Sequence, residues 1–200
     1  WLAAEGMRMQ PDGLGRLPRL KRATIKTELA ARACQVEQQP LIIDATAGMG
    51  HDGLLLARLG ARVILVEQHP IVWALLTSAM QQAQSNLHLA KISQRMQLVH
   101  ANAVDWLAEQ QVDVVYLDPM FPKGDLPDKQ QPLVKKEMQI LQKLFAASTD
   151  TGDALLAPAR QAAKRVIVKR PKLAPCLAAQ NPDHQWLGDA CRFDGYFRVD

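Results

Sequence analysis

Small and acidic residues follow one another in the segment 44–52, which reads DATAGMGHD. The small residues predict a turn between a strand and a helix, where Gly48 and Gly50 let the backbone approach a ligand closely. The amides that open the helix suit a carboxylate or a phosphate, and Asp52 could cap the helix and also accept a hydrogen bond from a ligand amine. With a third glycine the spacing completes G-x-G-x-x-G. We therefore assign Asp44, Gly48, Gly50 and Asp52 to a cofactor site.

A second acidic residue, Glu67, ends the next apolar run within the sequence VEQHP. It follows Asp44 by 23 residues, close to the spacing of roughly 20 expected for an acid that binds ribose hydroxyl groups. Such an acid suits either an adenosine-type methyl donor or a nicotinamide dinucleotide. The structural alternative is that Glu67 only caps the helix that Pro70 opens.

A third apolar run leads into residues 100–105, which read HANAVD. The small polar side chain of Asn102 and the free backbone amides beside it could meet the edge of an adenine ring. The alternative, which the sequence leaves open, is that Asn102 and Asp105 only cap the short helix that begins near Val104.

The most specific stretch covers residues 112–122 and reads VDVVYLDPMFP. A strand ends in Asp118, and Pro119 stiffens a turn that presents Phe121. The exocyclic amine of a nucleobase has its lone pair delocalised into the ring, so it needs acceptors on its hydrogens to direct that lone pair at a methyl donor. Asp118 and a carbonyl of the turn would supply them while Phe121 stacks on the base. A dehydrogenase needs no such turn; the structural alternative is a buried loop with Phe121 in the core.

Each of these four motifs follows a short apolar run. The apolar runs alternate with helical patterns, as is typical of βαβ units. We predict a doubly wound, mostly parallel α/β sheet with ligands beyond the carboxyl ends of its strands. The predicted strands are 41–45, 62–67, 96–100, 112–117 and 165–169, and the predicted helices are 24–35, 52–59, one that opens at Pro70, and 133–145. Residues 1–39 would form an N-terminal accessory segment and residues 40–200 the main domain.

The composition limits the classes of protein. The chain has 200 residues, 48% of them hydrophobic, which suits one domain with a substantial core. No run approaches the roughly 18 apolar residues of a membrane-spanning helix, and the start does not read as a signal sequence, so we expect a cytoplasmic protein. Three separated cysteines and five histidines without ligand spacing predict neither a disulfide framework nor a metal site. The net charge of +4 permits an anionic partner.

The four motifs, in this order, resemble those of class I S-adenosylmethionine (SAM)-dependent methyltransferases. The amine-directed members of that class carry [DN]-P-P-[FYW] after the fourth strand. Here Met120 stands for the second proline. The motifs DATAGMGHD, VEQHP, VVYLDPMFP, VKKEM, KRVIVKRP and CRFDGYF are similar to those of the RsmJ (YhiQ) family, whose members methylate a guanine at N2 in 16S ribosomal RNA. The resemblance implies the class I fold, SAM as cofactor, and 16S ribosomal RNA or the small ribosomal subunit as partner.

The resemblance also implies which residues bind the methyl donor. They are His51 and Asp52 after the glycine turn, Glu67 and Gln68 at the ribose, Asn102 and Ala103 at the adenine, and Asp118 between donor and base. The family commonly has arginine where His51 stands, which changes the charge expected at that contact.

Basic residues would bind RNA phosphates, and the candidates are Lys135, Lys136, Lys169 and Arg170. Their structural alternative is a set of solvated helix and strand ends. Three other functions stay open: methylation of another planar amine, such as adenine N6 or a protein glutamine; an RNA-binding ribosome assembly factor without turnover; and a nicotinamide oxidoreductase. The presence of Asp118 argues against the second, and the turn after it argues against the third.

Overall fold

The computed structural model describes residues 2–4, 7–9, 17–119 and 152–198. The strands in these ranges are β1 (Leu2–Ala4), β2 (Met7–Met9), β3 (Leu41–Asp44), β4 (Arg62–Glu67), β5 (Met96–His100), β6 (Val112–Leu117), β7 (Ala163–Pro171), β8 (His184–Leu187) and β9 (Cys191–Phe197). The helices are α1 (Leu17–Arg22), α2 (Leu29–Ala33), α3 (His51–Leu59), α4 (Pro70–Gln84), α5 (Ala90–Ser93), α6 (Ala103–Leu107) and α7 (Leu156–Ala162).

Seven of the strands form one sheet in the order β5-β4-β3-β6-β7-β9-β8. Strands β3 to β7 are parallel, and β9 runs antiparallel to both of its neighbours, β7 and β8. Because β4 and β5 lie on one side of β3 while β6 and β7 lie on the other, the order reverses between β3 and β6. Open α/β sheets bind ligands at such a switch point. The predicted doubly wound fold is confirmed.

Three predicted strands, 62–67, 96–100 and 112–117, have the observed bounds. The first strand ends one residue earlier than predicted, at Asp44, and the predicted 165–169 extends at both ends. The sequence analysis does not identify β8 and β9, because β9 carries Arg192 and Asp194 inside a buried run. These two side chains form a buried ion pair, with Nε and Oδ1 2.8 Å apart. The predicted helix 133–145 lies outside the described residues.

Successive residues of the central strands are buried on opposite faces of the sheet. Ile42 and Val114 belong to one apolar cluster, which includes residues of α2 and α3. Ile43 and Val115 belong to a second cluster, which includes residues of α6 and α7. Both faces of the sheet are therefore covered, which explains why the central strands read as nearly continuous apolar runs.

The N-terminal helix is shorter than the predicted 24–35. Thr24 and Thr27 form a turn in which each amide donates to the hydroxyl of the other residue, at 3.1 and 3.2 Å. Threonine hydroxyls that bond the backbone in this way compete with helix formation, so α2 begins only at Leu29. Residues of α2 pack in the same cluster as Ile42. The boundary between residues 39 and 40 stays a prediction.

No helix within the described ranges combines the length and apolar character needed to cross a membrane.

Gly53 allows α3 to pack closely on β4. A Cβ atom at this position would overlap the side chain of Leu65 and lie 3.3 Å from Oδ2 of Asp44. Both neighbours are buried, so neither moves aside freely. The last glycine of the G-x-G-x-x-G pattern therefore serves helix–strand packing.

Gly53→Ala is expected to lower the free energy of unfolding by about 1–3 kcal/mol, the usual cost of overpacking. Alanine is intrinsically better than glycine inside a helix by ~1 kcal/mol, so a net loss in urea denaturation isolates the clash. In a Leu65→Ala background the same change should be neutral or stabilising, because the overlapping methyl groups are gone. Stabilisation in the wild-type background would contradict this account of the packing.

Candidate active site

Four of the predicted site residues lie at one edge of the sheet. Asp44 and Glu67 end β3 and β4, and Asn102 and Asp118 follow β5 and β6. These strands are parallel, so their carboxyl ends share an edge. The four motifs therefore lie at the carboxyl ends of the strands, as the sequence predicts.

The glycine turn is tied directly to Glu67. Gly48 and Gly50 have φ angles of 50° and 70°, in the left-handed region. The amide of Gly48 donates to Oε2 of Glu67 at 3.0 Å, and the amide of His69 donates to Oε1 at 2.7 Å. Burial raises the pKa of Glu67, although these hydrogen bonds oppose the rise. Each carboxylate oxygen keeps a second lone pair, so Glu67 can hold the turn and still accept from a ribose hydroxyl.

Lys169 near the end of β7 joins two carboxylates. Its Nζ lies 2.7 Å from Oδ2 of Asp52 and 2.7 Å from Oδ2 of Asp118. The hydroxyl of Tyr116 donates to the same Asp52 oxygen at 2.9 Å. We call Asp52, Tyr116, Asp118 and Lys169 the Lys169 cluster. The amide of Asp118 also donates to Oγ1 of Thr46 at 2.6 Å, so the cluster and the glycine turn form one connected unit.

The N-cap position of α3 is occupied by Gly50, not by Asp52. Asp52 lies in the first turn of that helix and directs its carboxylate to Tyr116 and Lys169. The prediction that Asp52 caps this helix is therefore wrong. The N-cap of α4 is likewise His69 rather than Glu67.

Burial and mutual repulsion determine the charges at this edge. Burial raises the pKa of Asp44 to about 8, and the nearby Asp52 carboxylate adds to the rise. Burial also raises the pKa of Asp118, whereas Lys169 opposes that rise. Burial would lower the pKa of Lys169, but the two carboxylates outweigh it and raise the pKa. Lys169 is therefore an ammonium group across the physiological range.

The residues after β5 serve the local helix. The side-chain oxygen of Asn102 accepts from the amide of Val104 at 2.9 Å and caps α6, while Ala103 is buried. Gln68 is exposed, and its backbone carbonyl oxygen lies 3.1 Å from Nε2 of His100. The capping role of Asn102 is confirmed; contacts of Asn102, Ala103 and Gln68 with a donor stay predictions.

Two further predicted residues, His51 and Pro119, lie beyond the ends of β3 and β6. His51 opens α3 and is half-buried. Pro119 is also half-buried. Phe121 lies outside the described residues, so its stacking role stays a prediction.

The predicted RNA contacts fall in different places. Lys135 and Lys136 lie outside the described residues, and Lys169 belongs to the cluster. Arg170 is 4% exposed, and its Nε and Nη2 donate to the carbonyl oxygen of Pro175 at 3.1 and 2.9 Å. These positions argue against phosphate contacts by Lys169 and Arg170. Arg170 instead fixes the segment that follows β7.

Sequence reasoning missed Thr46 and Tyr116, and it placed Lys169 on the RNA surface. The sequence holds no signal for this place of Lys169, because it depends on β6 and β7 being adjacent parallel strands, with Leu117 opposite Val168. The next residues along the two strands, Asp118 and Lys169, are therefore neighbours. Tyr116 is fully buried, so the sequence presents it as an ordinary core residue. Nothing in the sequence indicates that its hydroxyl group bonds Asp52.

In the part of the chain that the structure describes, no three His, Cys, Asp or Glu side chains are placed to hold a metal ion together.

The sequence model of the SAM-dependent methyltransferase family matches residues 16–198. The crystal structure of a SAM-dependent methyltransferase from Neisseria gonorrhoeae superposes with a TM-score of 0.69 at 36% identity, over 86% of this chain and 71% of its own. The ribosomal RNA small subunit methyltransferase J of Acinetobacter baylyi is 52% identical over 100% of this chain and 77% of its own length. The protein of that name from Thioalkalivibrio sulfidiphilus is 41% identical, over 89% and 71%.

The sheet order, the site at the switch point and these matches define a class I SAM-dependent methyltransferase. Within that class, the chain belongs to the ribosomal RNA small subunit methyltransferase J family. The resemblance drawn from the motifs is thereby confirmed, and SAM is the cofactor that the family implies.

The described residues fit SAM in their chemistry. This molecule carries a sulfonium and an ammonium group as well as one carboxylate. Four carboxyl groups, those of Asp44, Asp52, Glu67 and Asp118, lie at the carboxyl edge, and among the described side chains the ammonium of Lys169 bonds only two of them. Asp44 holds its proton up to about pH 8, so the negative charge that suits a cationic ligand comes from Glu67 and from the two carboxylates that share the single ammonium group of Lys169.

Asp44→Asn is expected to make stability less dependent on pH. The folded protein holds the Asp44 proton up to about pH 8, whereas the ordinary pKa is 3.8. This carboxyl group therefore favours the folded state fully below its ordinary pKa and loses that contribution as the pH rises to about 8. Asparagine never ionises and keeps the oxygen that accepts from the Thr46 amide at 3.3 Å.

Urea denaturation at a series of pH values measures this effect. The free energy of unfolding of Asp44→Asn should gain on that of the wild type as the pH rises from about 5 to about 8. Parallel curves for the two proteins would show that Asp44 does not titrate in this range.

Proposed function

We propose that the protein transfers a methyl group from SAM to the exocyclic N2 amine of a guanine in 16S ribosomal RNA. The observation that carries the proposal is the Asp118 carboxylate, held after β6 by Lys169 and beside the glycine turn through Thr46. This carboxylate would offer an acceptor for amine hydrogens at the switch point of a methyltransferase sheet. The relatives support small subunit ribosomal RNA as the substrate, since they are named as methyltransferases of that RNA.

The chain's own residues would orient the amine through hydrogen bonds and would form no covalent bond with it. When bound, SAM supplies a methyl group on a positively charged sulfur. Asp118 would accept a hydrogen bond from the amine and so direct its lone pair, with a carbonyl of the following turn as second acceptor. Pro119 would stiffen that turn, and Phe121 would stack on the base. After transfer the amine is acidic enough to lose its proton to water, so a dedicated base is unnecessary.

The donor would be held by residues of the motifs that follow β3, β4 and β5. Glu67 and Gln68 would contact the ribose, Asn102 and Ala103 the adenine, and the glycine turn with His51 and Asp52 the methionine part. The connection of Gly48 to Glu67 supports this arrangement, because it fixes the turn and the ribose-binding acid relative to each other.

Direct transfer to nitrogen is favoured over a route through a cysteine adduct. Cys34 is fully buried, and burial raises the pKa of its thiol well above its ordinary value. Cys176 and Cys191 are half-buried, and none of the three cysteines ends β3, β4, β5 or β6. A thiol needs to be exposed and ionised to act as a nucleophile.

For the RNA itself, Lys135 and Lys136 remain the proposed phosphate contacts, with salt-dependent affinity as the expected signature. The substrate would be the free 16S RNA or the small ribosomal subunit, and the proposal places the protein in the cytoplasm with them.

The direct test incubates the protein with methyl-labelled SAM and small ribosomal subunits that lack N2-guanine methylation. The RNA is digested and the labelled nucleoside identified. We expect the label in N2-methylguanosine. Label in N6-methyladenosine or in ribosomal protein would overturn the guanine assignment while keeping the enzyme class, and no label with confirmed donor binding would favour an assembly factor without turnover.

Asp118→Ala is the matched inactive control for this test. Loss of an oriented acceptor is expected to reduce kcat by about 100-fold or more, with an unchanged circular dichroism spectrum. Asp189→Ala removes an exposed aspartate in the turn between β8 and β9 and should leave the rate unchanged. Wild-type turnover by Asp118→Ala would contradict the mechanism.

A further inference from the structure

Lys169 holds a position that neither the motifs nor the family relationship assigns. Its Nζ bonds Asp52 of α3 and Asp118 after β6, both at 2.7 Å, while Lys169 itself belongs to β7. One ammonium group therefore links three separate elements. Asp52 lies on the side of the glycine turn, where the donor would be, and Asp118 lies on the side of the target amine.

We propose that Lys169 is a positioning residue that keeps the Asp118 carboxylate ionised and turned toward the target amine, and that ties it to the donor side through Asp52. The inference rests on the proposed function in assigning the target amine to Asp118. It does not make Lys169 a catalytic residue, because Lys169 acts through its two aspartates.

The charges at the site require a cation in this position. The side chains of Asp52 and Asp118 are only 18% and 39% exposed, and their nearest oxygens approach the same nitrogen. Two carboxylates so close and partly withdrawn from water repel each other, and without a cation one of them takes up a proton. A protonated Asp118 would keep only part of its capacity to accept from an amine.

The bonds around the pair show that both aspartates are held, not merely neutralised. Tyr116 donates to the Asp52 oxygen that Lys169 also bonds, and the Asp118 amide is anchored on Thr46. With its backbone fixed at Thr46 and one oxygen fixed at Lys169, the Asp118 side chain keeps one orientation. Such a preset acceptor avoids reorganisation during the reaction.

A phosphate contact by Lys169, the role expected from the sequence, predicts a different result. Loss of a phosphate contact raises the KM for RNA and reduces the salt dependence of binding, with little effect on kcat. Loss of a positioning residue lowers kcat and moves the acid limb of the pH–rate profile, with little effect on the KM for RNA.

The test compares Lys169→Met, which keeps the length of the side chain without its charge, with Lys169→Arg, which keeps the charge in another shape. Lys164→Met is the matched control, since Lys164 is an exposed lysine at the opposite end of the same strand. Thermal unfolding first establishes that each variant is folded. The rate is then measured with labelled SAM and small ribosomal subunits over a range of pH.

We expect Lys169→Met to lower kcat on the order of 100-fold and to move the acid limb toward higher pH, because Asp118 loses the charge that favours its ionised form. Lys169→Arg should restore the position of the acid limb and part of kcat, and Lys164→Met should match the wild type. An unchanged kcat and acid limb, or a raised KM for RNA as the main effect, would overturn the proposal.

A second measurement does not depend on the acceptor. Aspartate labelled with ¹³C at the carboxyl carbon reports each ionisation by nuclear magnetic resonance, and the Asp118 signal is the one absent from Asp118→Asn. In Lys169→Met this signal should titrate at higher pH than in the wild type. If it does so while the enzyme methylates another target, the proposed function fails and the positioning role stands; an unchanged titration overturns the positioning role itself.

Discussion

Asp52 and Asp118 come from distant parts of the chain, yet both approach one ammonium group within 2.7 Å. Two carboxylates that are partly withdrawn from water would otherwise move apart or take up a proton. The contact with Lys169 therefore allows both to lie together at the edge of the sheet. In the proposed arrangement Lys169 joins Asp52 on the donor side to Asp118 on the acceptor side, in addition to the hydrogen bond from the Asp118 amide to Thr46. Changes in the position of α3, β6 or β7 would act on the chemistry through Lys169.

The fold supplies the positions that this contact needs. β6 and β7 are adjacent and parallel, which brings Asp118 and Lys169 together at their carboxyl ends. The segment after β7 is fixed by Arg192, whose Nη1 donates to the carbonyl oxygens of Pro171, Lys172 and Ala174 at 2.7 to 3.2 Å. The antiparallel strand β9 thus holds the end of β7 from the far side.

Sequence patterns predicted the parallel strands and the edge where the site lies, because buried β-branched runs and glycine turns are local signals. They placed Glu67 and Asp118 correctly at strand ends. They did not predict β9, since its buried Arg192 and Asp194 look like surface residues until they are seen as a pair. Nor did they give Lys169 its place, because that depends on which strands are neighbours in the sheet. A surface role is the expectation for a lysine in a basic run, and the contacts of Lys169 with Asp52 and Asp118 argue against it.

We propose that the carboxyl edge at β3 and β4 holds the methyl donor beside the Lys169 cluster. A crystal structure of the protein with S-adenosylhomocysteine tests it most directly. We predict the ribose hydroxyls within about 3.2 Å of the Glu67 carboxylate, and the sulfur on the side of the site where Asp118 and Lys169 remain in contact. Binding at another edge of the sheet, or a ribose that does not reach Glu67, would contradict the account.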